Sequence, residues 1–224
     1  MDTTRDLSEA LTKDMQTSLA PANIIQELKD GNARFLAGES VERDFLAQVK
    51  STAGGQNPMA AIVGCIDSRV PPEIVFDLGV GDVFSARIAG NFVNTDILGS
   101  LEFATAAAGS KVIVVLGHTQ CGAIKGTCDN VELGNLTSTL ANLAPAMYQV
   151  DHTQYAPLSS HNADYVNAVT DANIRLTTRN IVNRSAVIRN LVAEGKVVVI
   201  GALHHVESGE VTFLDDTEIN QNTL

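Results

Sequence analysis

Short apolar segments alternate with helix-forming segments along this chain, and this alternation most constrains the fold. Residues 59–64, 111–117 and 196–201 are apolar runs with the length of buried strands. Residues 82–87 predict a further strand. Apolar strands that alternate with helices form a mostly parallel sheet with both faces covered. The sequence therefore predicts an α/β fold, with a mostly parallel central β-sheet flanked by helices.

The segments around these strands predict helices. Residues 1–50 predict an N-terminal helical arm, and residues 129–165 a helix followed by a loop. Residues 172–193 predict one amphipathic helix that ends at Gly195. Residues 210–214 could form a short antiparallel strand at the sheet edge. Four apolar residues of the arm are spaced to lie along one helical stripe: Ile24, Ile25, Leu28 and Phe35.

Charge and hydropathy exclude some function classes. The chain has 15 Lys and Arg against 26 Asp and Glu, a formal net charge of −11, which argues against nucleic-acid binding. No apolar run approaches the roughly 18 to 20 residues that span a bilayer, so we expect no membrane insertion. Residues 1–6 lack the features of a secretory signal. We expect a cytoplasmic protein unless a signal was removed before residue 1.

Polar clusters follow two of the predicted strands. Cys65, Asp67 and Arg69 come after the strand at 59–64, and His118 and Cys121 come at the end of the strand at 111–117. In sheets of this kind ligands bind beyond the carboxyl ends of the strands. Thiolate and imidazole together select zinc over metals that prefer oxygen. The two clusters therefore predict a zinc site.

Other cysteine and histidine residues carry no comparable pattern. The chain has three cysteines, which is too few, and an odd number, for a disulfide framework. We interpret three residues as packing residues, namely Cys128, His204 and His205. We interpret His152 and His161 as surface residues, because they lie in polar surroundings.

Three stretches make the chain recognisable. They are residues 65–73 (CIDSRVPPE), 81–91 (GDVFSARIAGN) and 117–122 (GHTQCG). In this order they resemble the β-class carbonic anhydrases, with high specificity from about residue 56 to about 125 and more weakly through 196–201. The resemblance implies a zinc enzyme that reversibly hydrates carbon dioxide to bicarbonate and a proton, with zinc-bound hydroxide as the nucleophile.

The resemblance also assigns roles to residues. It implies that Cys65, His118 and Cys121 bind zinc, and that Asp67 and Arg69 form the catalytic dyad. We expect Asp67 to stay on Arg69. If Arg69 released it, Asp67 could bind zinc in a closed, inactive state. Five residues are implied or suggested as substrate-binding residues: Gln56, often across a dimer interface, and Phe84, Ala89, Gly90 and Phe103 around the pocket.

The chain departs from family patterns at two positions. Plant-type members often have tyrosine where this chain has Phe103, so no phenol hydroxyl can assist there. Some bacterial members have an inhibitory bicarbonate site that uses a tryptophan, and Ile62 occupies that place here. We therefore expect no bicarbonate lock of that type.

The expected organisation is one carbonic-anhydrase-like domain over residues 1–224, and a homodimer or a dimer of dimers (homotetramer) by analogy with the family. Two other functions remain open, namely a hydrolase of carbonyl sulfide or carbon disulfide, and a non-catalytic zinc-stabilised interaction module. The parts of the domain are the helical arm (1–50), the zinc-site core (56–128), a helical segment (129–195) and the C-terminal strands (196–214).

Overall fold

The computed structural model describes residues 6–214, and within that range the strands form a five-stranded sheet in the order β2-β1-β3-β4-β5. Strands β1 to β4 run parallel to one another, and β5 is antiparallel to β4 at one edge. The predicted α/β class and the antiparallel edge strand are therefore confirmed. The strands are β1 (Ala60–Gly64), β2 (Val83–Arg87), β3 (Val112–His118), β4 (Val198–His204) and β5 (Val211–Phe213).

Helices pack on both faces of this sheet. Alternate residues of β3 enter different apolar cores, because successive side chains of a strand point to opposite faces. Ile113 belongs to one core and Leu116 to the other, and both are buried. The helices are α1 (Lys13–Ser18), α2 (Pro21–Ala37), α3 (Phe45–Thr52), α4 (Pro72–Val75), α5 (Thr95–Glu102), α6 (Gly122–Cys128), α7 (Gly134–Ala141), α8 (Ala144–Met147), α9 (Ala163–Arg184) and α10 (Ala186–Ala193).

The N-terminal arm packs against the sheet of its own chain. Ile24 and Leu28 of α2 are fully buried in the core that includes β3. Gly31 allows α2 to approach the end of α4, because a Cβ at this position would lie 1.9 Å from the carbonyl oxygen of Phe76. The next helix differs, since α3 leaves the large apolar side chains of Phe45 and Leu46 exposed.

The prediction of one helix over residues 172–193 is wrong. The structure has two helices here, α9 and α10, separated at Ser185, which has an extended backbone (φ −115°, ψ 108°). The Ser185 hydroxyl accepts a hydrogen bond from the backbone N–H of Ile188 at 3.1 Å and so caps α10. Apolar residues on both sides of the break face the same core, so their spacing continues through it. Gly195 ends α10 with a left-handed backbone (φ +68°).

A further segment differs in detail from its prediction. Residues 129–165 contain α7, α8 and a 3₁₀ turn at His152–Gln154, and α9 already begins within this segment. The prediction of a single helix and a loop there is wrong. Elsewhere, α5 is followed directly by a π-helical segment at Phe103–Ala107.

Two predictions remain, one about a secretory signal and one about membrane insertion. Residues 1–5, which carry most of the expectation about a secretory signal, lie outside the described residues. Among the helices of residues 6–214, none has both the length and the hydropathy of a membrane span.

Candidate metal centre

The topology brings the two polar clusters together. Strands β1 and β3 are parallel neighbours, so their carboxyl ends lie at the same edge of the sheet. Cys65 directly follows β1, His118 is the last residue of β3, and Cys121 follows shortly after. The two sulfur atoms are 4.0 Å apart. One ligand atom from each of the three residues lies within 4.8 Å of the others, and all three residues are buried.

The orientation of His118 leaves one ring nitrogen free to bind a metal. Its Nδ1 lies 2.8 Å from the carbonyl oxygen of Thr119. A carbonyl oxygen can only accept, so Nδ1 carries the proton and Nε2 carries the lone pair. Nε2 is buried and has no hydrogen-bond partner among residues 6–214. A buried, unpaired nitrogen beside two thiols is a good fit for a metal ion.

The two thiols are joined by a hydrogen bond in which either sulfur can be the donor. The hydrogen bond with Cys121 lowers the pKa of Cys65 to about 4, with a smaller contribution from the backbone N–H of Gly90. The same hydrogen bond and burial raise the pKa of Cys121. This hydrogen bond therefore favours a pair that holds one thiolate and one remaining proton. Because metal ligands must be deprotonated, metal binding would displace this proton.

Asp67 and Arg69 form a two-pronged ion pair beside the cluster. Arg69 donates from Nε to Oδ1 of Asp67 at 2.9 Å and from Nη2 to Oδ2 at 2.8 Å. These hydrogen bonds hold the pKa of Asp67 well below its usual range. Oδ2 of Asp67 also lies 3.9 Å from Nε2 of His118. An ionised carboxylate therefore faces the ligand atoms while Arg69 holds it.

Several supporting residues were not predicted from the sequence. Arg87 of β2 donates to the carbonyl oxygens of Cys65 at 2.8 Å and Asp67 at 2.6 Å, so it fixes the loop after β1. Asn173 of α9 donates to the carbonyl oxygen of Gly90 at 2.9 Å, although it lies 83 residues away. Arg87 belongs to a recognised stretch, which could have drawn attention to it. Nothing in the sequence pairs Asn173 with the site.

A pocket of about 480 Å³ opens beside the cluster. Its lining includes Cys65, Asp67 and Ala89, together with apolar residues such as Leu140. Gly90 borders the site, because its backbone N–H donates to the sulfur of Cys65 at 3.4 Å. Two of the predicted substrate-binding residues, Ala89 and Gly90, therefore lie next to the thiols.

The other predicted substrate-binding residues lie elsewhere in the chain. Phe84 and Phe103 line a different pocket, of about 760 Å³, with their ring centroids 6.0 Å apart. Gln56 is exposed and precedes β1, whereas Cys65 follows that strand. The structure thus places Gln56 at the opposite end of β1, and a single chain does not bring it to the thiols.

The remaining cysteine and histidine residues largely match their interpretation. Cys128 is buried, and burial raises the pKa of its thiol to about 11. His204 lies opposite His118 in the β3–β4 pairing and is also buried, which lowers its pKa to about 4. His205 is half-buried, with its Nε2 3.3 Å from the hydroxyl oxygen of Thr212. Both His152 and His161 are exposed, as predicted.

Comparison with known proteins agrees with this geometry. The family model described as carbonic anhydrase matches residues 60–211, a stretch that includes both clusters. The chain belongs to this family. A carbonic anhydrase of Mycolicibacterium smegmatis is 32% identical to it over 197 residues, which cover 85% of this chain and 92% of the relative. Carbonic anhydrase 2 of Mycobacterium tuberculosis is 31% identical, over 87% of this chain and 93% of its own length.

Solved structures identify the class within the family. A tetrameric β-carbonic anhydrase of Sordaria macrospora has a TM-score of 0.66 and 28% identity, covering 74% of this chain and 85% of its own. A β-carbonic anhydrase of Aspergillus fumigatus has a TM-score of 0.70 and 25% identity, covering 91% and 96%. The predicted membership of the β-class is therefore confirmed.

Proposed function

We propose that this protein is a zinc enzyme that reversibly hydrates carbon dioxide to bicarbonate and a proton. The observation that carries the proposal is the buried set of Cys65, His118 and Cys121, with ligand atoms within 4.8 Å of one another. Two sulfurs and one imidazole nitrogen are a typical donor set for catalytic zinc, which keeps a fourth position open. When bound, zinc supplies Lewis acidity that makes hydroxide available near neutral pH.

Asp67 accepts a hydrogen bond from the nucleophile. Its pKa is depressed by the hydrogen bonds from Arg69, so it is ionised at neutral pH and can only accept. Oδ2 faces the ligand atoms, 3.9 Å from His118 Nε2. A hydrogen bond accepted at this atom orients the lone pair of the attacking oxygen towards the carbon of the substrate. Because both oxygens of Asp67 are paired with Arg69, this arrangement argues against a closed module in which Asp67 is the fourth metal ligand.

The pocket next to the thiols suits a small apolar substrate. Carbon dioxide has no net dipole and makes weak hydrogen bonds, so it binds readily in a pocket with apolar walls. Ala89, Ala123 and Leu140 supply such walls within the 480 Å³ pocket. Lys125 and Asp129 also line this pocket and supply charged groups, so the bicarbonate product has a polar route into water.

We further propose that the active enzyme is a homodimer or a dimer of dimers. Gln56, Phe84 and Phe103 do not lie at the thiols of their own chain, and we place them at the site of a second copy. Phe103 is 58% exposed, as expected for a residue that a partner covers. The exposed apolar side chains of α3, Phe45 and Leu46, are a further surface for such contacts. A tetramer is the state named for the Sordaria relative.

Stopped-flow hydration of carbon dioxide tests the proposed activity. The protein is assayed as purified, after metal removal, and after zinc is added back, with metal content measured in each sample. We expect activity to disappear with the metal and to return with zinc. A zinc-loaded protein without activity would contradict the proposal and favour the interaction module. Turnover of carbon disulfide but not carbon dioxide would favour the hydrolase.

Matched cysteine variants connect the activity to the cluster. We expect Cys65→Ser to lose zinc and activity together, because it removes one of three ligands. Cys128→Ala is the control, since Cys128 is also buried but is not part of the cluster. It should keep zinc and activity. Equal zinc content in both variants would place the metal elsewhere.

A further inference from the structure

Thr119 directly follows β3, and each of its polar atoms takes part in a hydrogen bond. Its carbonyl oxygen accepts from Nδ1 of His118 at 2.8 Å, and its backbone N–H donates to the carbonyl oxygen of His204 at 2.9 Å. Its hydroxyl accepts from the backbone N–H of Val206 at 3.0 Å and donates to Oε2 of Glu207 at 2.9 Å. The residue that fixes the His118 ring is therefore itself held by the turn between β4 and β5.

Glu207 reaches this position from an ordered turn. The backbone N–H groups of Ser208 and Gly209 both donate to the carbonyl oxygen of His205, at 3.2 and 2.7 Å. Glu207 is exposed, so its carboxylate does not contribute to an apolar core. Its hydrogen bond with Thr119 spans 88 residues of sequence. The contact therefore connects the turn between β4 and β5 to the residue that follows β3.

We propose that Glu207 and Thr119 are positioning residues of the metal site, which orient the imidazole of His118 through the carbonyl group of Thr119. This proposal rests on the metal site of the proposed function. Metal-bound histidines depend on the partner of their other ring nitrogen, because that hydrogen bond sets the tautomer and the ring orientation. Here the partner is a backbone carbonyl, and the side-chain contact with Glu207 keeps that carbonyl in place.

Glu207 could also act through its charge, and the test must separate the two effects. The negative charge of Glu207 raises the pKa of Arg69, although less than Asp67 does. Glu207→Gln removes the charge but keeps an oxygen that can accept from Thr119. Glu207→Ala removes both. The pair therefore distinguishes positioning of His118 from an electrostatic effect on Arg69.

The experiment measures metal affinity rather than turnover. The dissociation constant for Zn²⁺ is determined by competition with a chromophoric chelator in wild type, Glu207→Ala, Glu207→Gln, Thr119→Val and Thr119→Ser. The ligand-field absorption of the Co²⁺-loaded proteins reports the coordination geometry. Glu210→Ala is the matched control, because Glu210 is an exposed carboxylate near the same turn and bonds to His205 through its backbone oxygen, which the variant keeps. Melting of the metal-free proteins monitors folding.

We expect Glu207→Ala and Thr119→Val to weaken Zn²⁺ binding about 10-fold or more and to alter the Co²⁺ spectrum, as for other residues that support metal ligands. Glu207→Gln and Thr119→Ser keep the hydrogen bond and should bind like wild type, as should Glu210→Ala. If Thr119→Val does not fold, the variants of the exposed residue Glu207 test the proposal by themselves.

Two results would overturn this inference in distinguishable ways. If wild type binds Zn²⁺ tightly and Glu207→Ala binds equally well with an unchanged Co²⁺ spectrum, the positioning role is wrong and the proposed function stands. If Glu207→Gln is as weak as Glu207→Ala, charge and not positioning is responsible. If wild type itself binds no Zn²⁺, the metal site of the proposed function fails first.

Discussion

Two aspartate–arginine clusters in this molecule use the same chemistry in different surroundings. Asp67 pairs with Arg69, two residues away, and the two side chains are 18% and 50% exposed. Asp77 pairs with Arg34 at 2.6 Å and Arg43 at 2.5 Å, both of them in the N-terminal arm region, and its side chain is only 2% exposed. One pair is local and open to water, whereas the other is buried and joins distant parts of the chain.

This difference fits a structural role for Asp77 and the reactive role that we propose for Asp67. Arg69 can move away from Asp67 by changing its side-chain rotamer, because no helix or strand depends on the contact. Asp77 also accepts from the backbone N–H of Val41, and Arg43 donates to the backbone carbonyl of Asp77 at 2.6 Å. Releasing Asp77 would therefore free the segment from Arg34 to Arg43 from this anchor. The two aspartates thus differ in exposure and in the sequence separation of their partners, and only Asp67 lies beside the candidate ligand atoms, 3.9 Å from Nε2 of His118.

The largest expected effect is on stability, from Asp77→Asn. The variant leaves the buried Arg43 and the partly buried Arg34 without a compensating charge, which costs about 3–5 kcal/mol in comparable buried pairs. The free energy of unfolding is measured by urea denaturation. Where the variant is folded, its kcat/KM should match wild type. A loss below about 1 kcal/mol would place Asp77 with ordinary surface pairs and end the comparison.

Asp67→Asn is the matched change in the other cluster, with the opposite outcome. An amide at this position cannot hold the proton of the nucleophile as a carboxylate does, so kcat/KM for carbon dioxide should fall about 10²-fold or more. Stability should change by less than about 1 kcal/mol, as for other partly exposed pairs. Zinc content is the control and should stay at the wild-type level. Wild-type turnover would remove Asp67 from the mechanism.

Gly31→Ala sharpens the structural side of the comparison. The added methyl group would meet the backbone oxygen of Phe76 at 1.9 Å, where α2 approaches the segment that carries Asp77. We expect a loss of about 1–3 kcal/mol in the free energy of unfolding, the usual cost of overpacking. Gly99→Ala in α5 is the control, since nothing lies within 4 Å of its added Cβ. That variant should gain up to about 1 kcal/mol from helix propensity.

The smallest expected effect is a difference between the two clusters in how salt changes their contribution to stability. Their responses to acid have the same sign. Burial opposes ionisation of Asp77, but hydrogen bonds from Arg43 and Arg34 outweigh it and lower its pKa. Its contribution to stability is therefore present above the unfolded pKa, about 3.9, and is lost as pH falls through the folded pKa. Asp67 has the same sign, because its pKa is also lowered.

Salt distinguishes the two contributions. At about 1 M salt the Debye length is about 3 Å, and partly exposed pairs are screened far more than buried ones. The stability difference between wild type and Asp67→Asn should shrink with salt, and that between wild type and Asp77→Asn should persist. Urea titrations between about pH 2 and 7 at low and high salt measure both differences. Equal sensitivity to salt would mean that burial does not separate the clusters.

The sequence predicts the sheet and the cluster of two cysteines and one histidine well, for a physical reason. Buried parallel strands are continuous apolar runs, and the polar residues that follow them mark the edge where ligands bind. Two such strand ends predict that Cys65 lies close to His118, and the buried cluster confirms it. The break at Ser185 could not be predicted in this way, because apolar residues on both sides of it face the same core and keep a helical spacing.

Contacts between distant residues of ordinary type could not be predicted. Thr119 and Glu207 are 88 residues apart, and each is unremarkable by itself. Arg34 and Arg43 precede Asp77 by 43 and 34 residues, and no local pattern connects them to this aspartate. Such pairs depend on the tertiary arrangement, which periodicity and composition do not report.

The parallel pairing of β1 with β3 has a consequence for the order of assembly. The sulfurs of Cys65 and Cys121 are 56 residues apart in the chain and meet only when these two strands are paired. An unfolded chain holds no preformed cage for an ion, so tight capture must await this long-range pairing. If the proposed metal site is correct, tight metal binding therefore follows the pairing of β1 with β3 and does not initiate it.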